Sequence, residues 1–314
     1  MRIGIVVDSA CDLPREFIDQ HTIQIMPITL RIGDVFVEDW RDPVETQKFY
    51  AWRLDQGHAD YAESIPYSPE QIETLFLERL VLEYDYVFCL TISGMRSPIF
   101  MHAQQAARSV LGKYREIRRS AGCNDAFGLA VLSTRNLFTG QSVPAAEATR
   151  LIAQGCPPSV IGARLTQLIE HTHTYLVPAD LHHIYKRASK KGDNSLGWGA
   201  YTLGSLLDVK PLLHYNCDTT HTVGKVRGFS SGAEQLFNRA AEQIEQGLDA
   251  PWICISYGGP LETVRDLKGY GRLARTAIEH DVTIQLAPMS KTAAINVGPG
   301  ALSLAFAAAS HRIQ

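Results

Sequence analysis

The sequence predicts an α/β protein made of two α/β domains, the N-terminal one built on a mostly parallel sheet. Two observations carry that class. Short apolar runs of strand length alternate along the chain with longer segments of helical period, the pattern of strands joined by helical crossovers. The chain has 314 residues, 45% of them hydrophobic, which suits two packed domains of about 150 residues each. A stop-and-restart signal for helices at Gly155-Cys156-Pro157-Pro158 marks the expected break, giving domains over residues 1–160 and 161–314.

In the first half, the runs at residues 3–7, 23–30, 86–92 and 129–133 are rich in Ile, Val, Leu or Phe, as strands covered on both faces are. The clearest helix start is Ser68-Pro69-Glu70-Gln71. There Ser68 caps, Pro69 suits the first helical position and Gln71 completes a capping box. Ser97 and Pro98 open the next helix, which runs to about Ser120 and ends in basic residues that favour its dipole. Two more helices fill residues 141–171 around the 155–158 break. In the second half, strand runs lie at 174–177, 209–213, 222–226, 252–256 and 282–286. Near the C-terminus, Asn296-Val297-Gly298-Pro299-Gly300 either brings the backbone close to a ligand or the other domain, or makes a tight turn into a terminal helix over the small residues 301–309.

Charge and cysteine content exclude several classes. Thirty Lys and Arg against 33 Asp and Glu leave a net charge of −3, so no broad basic surface exists to neutralise phosphates, and nucleic-acid binding is not expected. The six cysteines form no C-x-x-C pair, which points to a reducing compartment. The apolar run at 3–7 is too short for the core of a secretory leader, and 301–309 is too short to span a bilayer, so a cytoplasmic protein without membrane insertion is expected.

The loop Ile92-Ser93-Gly94-Met95-Arg96-Ser97-Pro98 joins a strand end to a helix start, where ligands of open α/β sheets sit. Unpaired helix N–H groups, two serine hydroxyls and Arg96 make it a plausible anion cradle. Ser97 also reads simply as an N-cap. Asp8-Ser9 and Asp12 form a third loop at the same sheet edge, with Asp12 expected to cap the following helix. The histidines His171, His173, His182, His183, His214 and His221, with Cys217, match no zinc spacing, so no metal is expected. Residues 215–222 read as a polar hairpin turn rather than a Cys217–His221 nucleophile pair. The basic run at 186–191 reads as a solvated helix end or as a docking patch for an acidic partner. No Walker loop, dinucleotide fingerprint or nucleophile elbow is present, and no catalytic residue or cofactor is expected.

In their order along the chain these motifs resemble the DegV family of bacterial fatty-acid-binding proteins. Residues 2–14 look like the family's opening strand and D-S-x-x-D-L-P loop. Residues 201–213 are similar to its G-S-L-L-N-I-K-P-I-L segment, and Gly298-Pro299-Gly300-Ala301-Leu302 looks like its G-P-G-A-L. The resemblance implies two α/β domains with an acyl chain buried in the N-terminal one and its carboxylate between the two. It also implies a non-catalytic carrier that presents a long-chain fatty acid to a separate fatty acid kinase. By position, the family's carboxylate-holding Thr falls on Ser64 and its loop Ser on Ser97. Arg96 is expected to add charge, and Asn296 takes the place of the family's His. Pro98 replaces a Gly, and residues 191–197 replace the shorter G-G-R-I-G. These departures motivate an alternative, a regulatory or interaction protein of the same fold that has lost kinase coupling or binds another small anion. A third reading is an enzyme for a small anionic substrate with His182, His183 or Lys291 as titrating groups.

Overall fold

The computed structural model describes residues 1–53, 62–181, 183–184 and 208–311. The first half is centred on a parallel sheet of order β2-β1-β6-β7, formed by β1 (Ile3–Asp8), β2 (Gln24–Met26), β6 (Tyr86–Thr91) and β7 (Gly128–Ser133). Its helices are α1 (Arg15–Gln20), α2 (Pro43–Arg53), α3 (Pro69–Leu75) and α5 (Ile99–Ser120), with a π-helical turn at Phe76–Leu80 leading from α3 into the short α4 (Val81–Glu83). The capping box at Ser68 is present: Ser68 Oγ accepts from Gln71 N at 3.3 Å, and Gln71 Oε1 accepts from Ser68 N at 2.9 Å.

The run at 23–30 is not one strand. Pro27 has no N–H to continue a ladder, and the chain turns there. Upstream, β2 pairs with β1. Downstream, β3 (Ile28–Ile32) joins β4 (Val35–Asp39) and β5 (Ala62–Pro66) in a separate antiparallel sheet of order β4-β3-β5. Ser9 fastens the corner, its N–H donating to Met26 O at 3.1 Å and its Oγ accepting from Ile28 N at 2.9 Å.

The second half carries a six-stranded sheet of order β10-β9-β8-β13-β11-β12. Its strands are β8 (Thr172–Val177), β9 (Val209–Asn216), β10 (Thr219–Arg227), β11 (Trp252–Tyr257), β12 (Thr283–Pro288) and β13 (Leu302–Ala307). Only β11 and β12 pair in parallel; the other neighbours are antiparallel. The 301–309 segment is therefore a fully buried strand between β8 and β11, not a terminal helix. Its alternation explains this. Leu302, Leu304 and Phe306 face one core cluster, while Ala305 and Ala307 face another that includes Val143, the period-2 pattern of a strand.

The small face of β13 leaves room for α6 (Thr139–Ala153), which is buried over nearly its whole length and packs on strands of both large sheets. Thr139 Oγ1 and Ser303 Oγ are 2.6 Å apart at that contact. The helix then breaks at Gly155 (φ 74°) before α7 (Pro158–Glu170). Helices α8 (Phe229–Gln246), α9 (Leu261–Asp266), α10 (Tyr270–Glu279) and α11 (Lys291–Val297) complete the fold.

Candidate functional site

At the carboxyl end of the parallel sheet, the loop after β6 meets the β9–β10 hairpin of the second sheet. Asp8, at the end of β1, anchors the loop from below: its carboxylate accepts from Ala10 N at 3.0 Å and Ile92 N at 2.7 Å. Burial pushes this carboxyl up to about 6, with the two N–H groups pulling the other way. Ser93 latches the hairpin to the loop. Its Oγ donates to Asp218 at 2.6 Å and accepts from Tyr215 OH at 3.0 Å, and Asp218 in turn pairs with Arg135 at 2.8 Å. The hairpin turns at Cys217 and Asp218, whose φ values are 47° and 69°.

Ser64, Arg96, Ser97 and Asn296 all line one cavity of about 320 Å³. They arrive on three supports, with Arg96 and Ser97 adjacent in the loop after β6. Ser64 lies on β5, across from Leu30 of β3. Arg96 Nη2 donates to Thr220 Oγ1 at 2.8 Å, and its guanidinium carbon lies 5.6 Å from the Tyr215 ring centre. Ser97 precedes α5, and its Oγ accepts from Ile99 N at 3.3 Å, so it serves the helix start while also facing the cavity. Asn296 lies in the last turn of α11 and donates from Nδ2 to Thr292 O at 2.8 Å. The first backbone bond within α5 is His102 N to Pro98 O at 3.0 Å, so the N–H groups of Phe100 and Met101 have no partner inside the helix.

The opposite wall comes from the second sheet and was not legible in the sequence. Thr174 and Leu176 of β8 stand directly across from Tyr215 and Leu213 of β9, and Thr220 of β10 continues the Tyr215 row. All five line the cavity. The period-2 spacing of Thr174 with Leu176, and of Leu213 with Tyr215, gave the only sequence signal that they share a face. Ile28, Pro66, Ile92, Leu137, Phe138 and Val297 make the remaining surface largely apolar. A mostly apolar concavity with a few convergent donors and one cation can hold an amphipathic anion.

The other sequence candidates fall elsewhere. Asp12 does not cap α1. It accepts from Ser256 Oγ at 2.6 Å and Ser290 N at 2.9 Å and lies 3.4 Å from Arg41, and burial raises its carboxyl despite that cation. The 298–300 segment makes the turn between α11 and β13, with Gly298 and Gly300 at φ 90° and 74°. Its backbone is pressed against Gly258, where a Cβ would stand 2.8 Å from Gly300 N. Among the described residues, no group of three or more His, Cys, Asp or Glu is placed to hold a metal, and no helix is long and apolar enough to cross a membrane. His171 pairs with Asp249, and His183 Nε2 meets Ile295 O at 2.8 Å. Cys217 Sγ donates to Glu170 O at 3.5 Å, and burial raises its thiol. His182, the basic run at 186–191, the 191–197 segment and residues 201–207 lie outside the described residues.

A family model described as that of the DegV family of uncharacterised proteins matches residues 2–309. The chain belongs to the DegV family. A DegV domain-containing protein of Xanthomonas axonopodis is 46% identical over 312 residues, 99% of each chain. Among solved structures, a DegV lipid-binding protein of Thermotoga maritima has a TM-score of 0.76 at 19% identity, covering 99% of this chain and 100% of that one. A fatty-acid-binding DegV family protein of Thermus thermophilus has a TM-score of 0.73 at 22% identity, over 98% of this chain and 100% of that one. These likenesses agree in fold with the parallel and mixed sheets seen here. In this DegV chain, Pro98, which lines the cavity, has no N–H to offer an anion, and Asn296 carries no titratable charge.

Proposed function

We propose that this DegV protein binds a long-chain fatty acid, with the carboxylate held by Ser97, Ser64, Asn296 and Arg96 and the acyl chain shielded within residues 1–160. Residues 161–314 close over the head group. The observation that carries this reading is the convergence of three uncharged donors and one arginine, from three separate supports, on a single largely apolar cavity. Solved proteins of the same fold are fatty-acid binders, including one from Eubacterium ventriosum with stearic acid. A tail of about 16 carbons buried at ~0.8 kcal/mol per methylene gives a gross gain on the order of 12 kcal/mol, so the head-group contacts need only orient the chain. The protein acts as a carrier rather than a catalyst.

Native mass spectrometry of the purified protein, followed by denaturing extraction, is expected to identify a bound long-chain fatty acid. Ser97→Ala is expected to weaken fatty-acid affinity several-fold, because one hydroxyl donor to a charged acceptor is lost. Unchanged affinity and unchanged chain orientation in that variant would remove Ser97 from the site.

The carrier reading extends to presentation of the carboxylate to a fatty acid kinase. Pro98 and Asn296 favour a second reading, a regulatory or interaction protein of the same fold without kinase coupling. Acyl phosphate formation on mixing the loaded protein with a fatty acid kinase supports presentation; fatty-acid binding without any acyl phosphate supports the second reading.

A further inference from the structure

A second cavity, of about 570 Å³, is lined by Leu30, Ile32, Val37, Phe49 and Lys291, with the Glu45–Lys48 ion pair at its rim. Its wall is the same face of the small sheet that carries Ser64, because Leu30 stands between Val37 on one side and Ser64 on the other. The two cavities nevertheless share no lining residue. Helix α11 separates their polar groups: Thr292 and Asn296 line the first and Lys291 lines the second.

Lys291 is the anomaly. It is only 4% exposed, and no hydrogen bond or ion pair to its side chain is found among the described residues. Its Nζ is not among the fully enclosed side-chain atoms that lack a partner, so the ammonium opens into the cavity rather than being sealed in apolar surroundings. The acidic residue lining the same cavity, Glu45, is already engaged by Lys48 at 2.9 Å. Aliphatic and aromatic walls with one unpartnered cation match an amphipathic carboxylate.

We infer that this second cavity binds a medium-chain monocarboxylate, its carboxylate on Lys291 Nζ and its chain against Leu30, Ile32, Val37 and Phe49, independently of the ligand at Ser97. The test titrates octanoate by calorimetry into protein with and without saturating oleate. Octanoate is expected to bind at one equivalent in both preparations. The affinity is expected to fall tenfold or more in Lys291→Met and to be unchanged in Ser97→Ala, and nuclear Overhauser contacts should connect the octanoate methylenes with Val37 and Phe49.

Lys291→Met removes the cation while nearly keeping chain length, so an unchanged Tm shows that any lost binding is not lost fold. No octanoate binding in the unsubstituted protein overturns the inference, as does an isotherm indifferent to Lys291→Met. An isotherm abolished by oleate or by Ser97→Ala assigns octanoate to the first cavity and also overturns it. Failure of oleate to bind, with octanoate still dependent on Lys291, sinks the fatty-acid carrier reading and leaves this inference standing.

Discussion

Replacing Asp12 by Ala is expected to destabilise the protein by about 3–5 kcal/mol, the loss that follows when one partner of a buried ion pair is deleted and the other charge stays behind. Asp12 is fully buried and Arg41 only 6% exposed. Arg41 also holds the carbonyls of Leu13 and Pro288, both at 3.1 Å, and adopts a left-handed backbone at φ 59°. It cannot retreat to water without dragging those contacts apart. Asp12 further accepts from Ser256 and from the N–H of Ser290, the residue that caps α11 by accepting from Ala293 N at 3.0 Å. Loss of Asp12 thus loosens the helix that brings Asn296 to the first cavity. Urea unfolding should show a lower midpoint for Asp12→Ala and for Asp12→Asn. The double variant Asp12→Asn with Arg41→Met should recover much of the loss, because the orphaned cation is gone. A loss of unfolding free energy below about 1 kcal/mol for Asp12→Ala would contradict this account.

Acidification from pH 7 to about 4.5 should lower the Tm through a histidine cluster behind β8 and β9. His173 Nδ1 and His214 Nε2 are 2.9 Å apart, His173 Nε2 reaches Ala308 O at 3.2 Å, and Tyr175 contacts His311. Burial, followed by repulsion from His173 and His311, depresses His214 to about 3. Burial likewise lowers His311 to about 4 and depresses His173.

A group with a lowered native pKa contributes stability that is full above its unfolded value near 6.5 and is lost as pH falls toward the native value. For His214 alone the ceiling is about 4–5 kcal/mol, from ~1.36 kcal/mol per pH unit. Asp8 opposes this. Its pKa, raised to about 6, means the folded state holds a proton that the unfolded chain releases near 4, so acidification between those values adds at most about 3 kcal/mol. Asp12, whose carboxyl burial also raises, acts in the same sense as Asp8; the three depressed histidines are set against these two carboxyls, and the net slope is downward. His214→Phe should flatten it. Equal Tm values at pH 7 and 4.5, or an unchanged slope in His214→Phe, would rule the explanation out.

Much of the fold was legible because its signals are local. The strands of the parallel sheet are short runs of Ile, Val, Leu and Phe bounded by turn residues, and the start of α3 is written in four consecutive residues from Ser68 to Gln71. Two errors arose where local signals mislead. The apolar run at 23–30 reads as one strand, but Pro27 divides it between two sheets. The Ala-rich stretch after Gly300 reads as helical by propensity, whereas a place between β8 and β11 with both faces covered makes it a central strand. Asp12 shows the same limit. An aspartate ahead of a helix suggests a cap, yet its partners lie 244 and 278 residues away.

The sequence by itself determined the α/β class, the start of α3, the absence of a broad basic surface and the loop carrying Arg96 and Ser97, since each depends on residue type and short spacing. Only the tertiary structure decided that Ser64 and Asn296 stand with them around one cavity, that Thr174, Tyr215 and Thr220 supply the facing wall, and that Lys291 lines a second cavity. Those facts depend on strand order, cross-strand register and the packing of α11 between the cavities. Long-range pairing sets all three, and no periodicity along the chain records it.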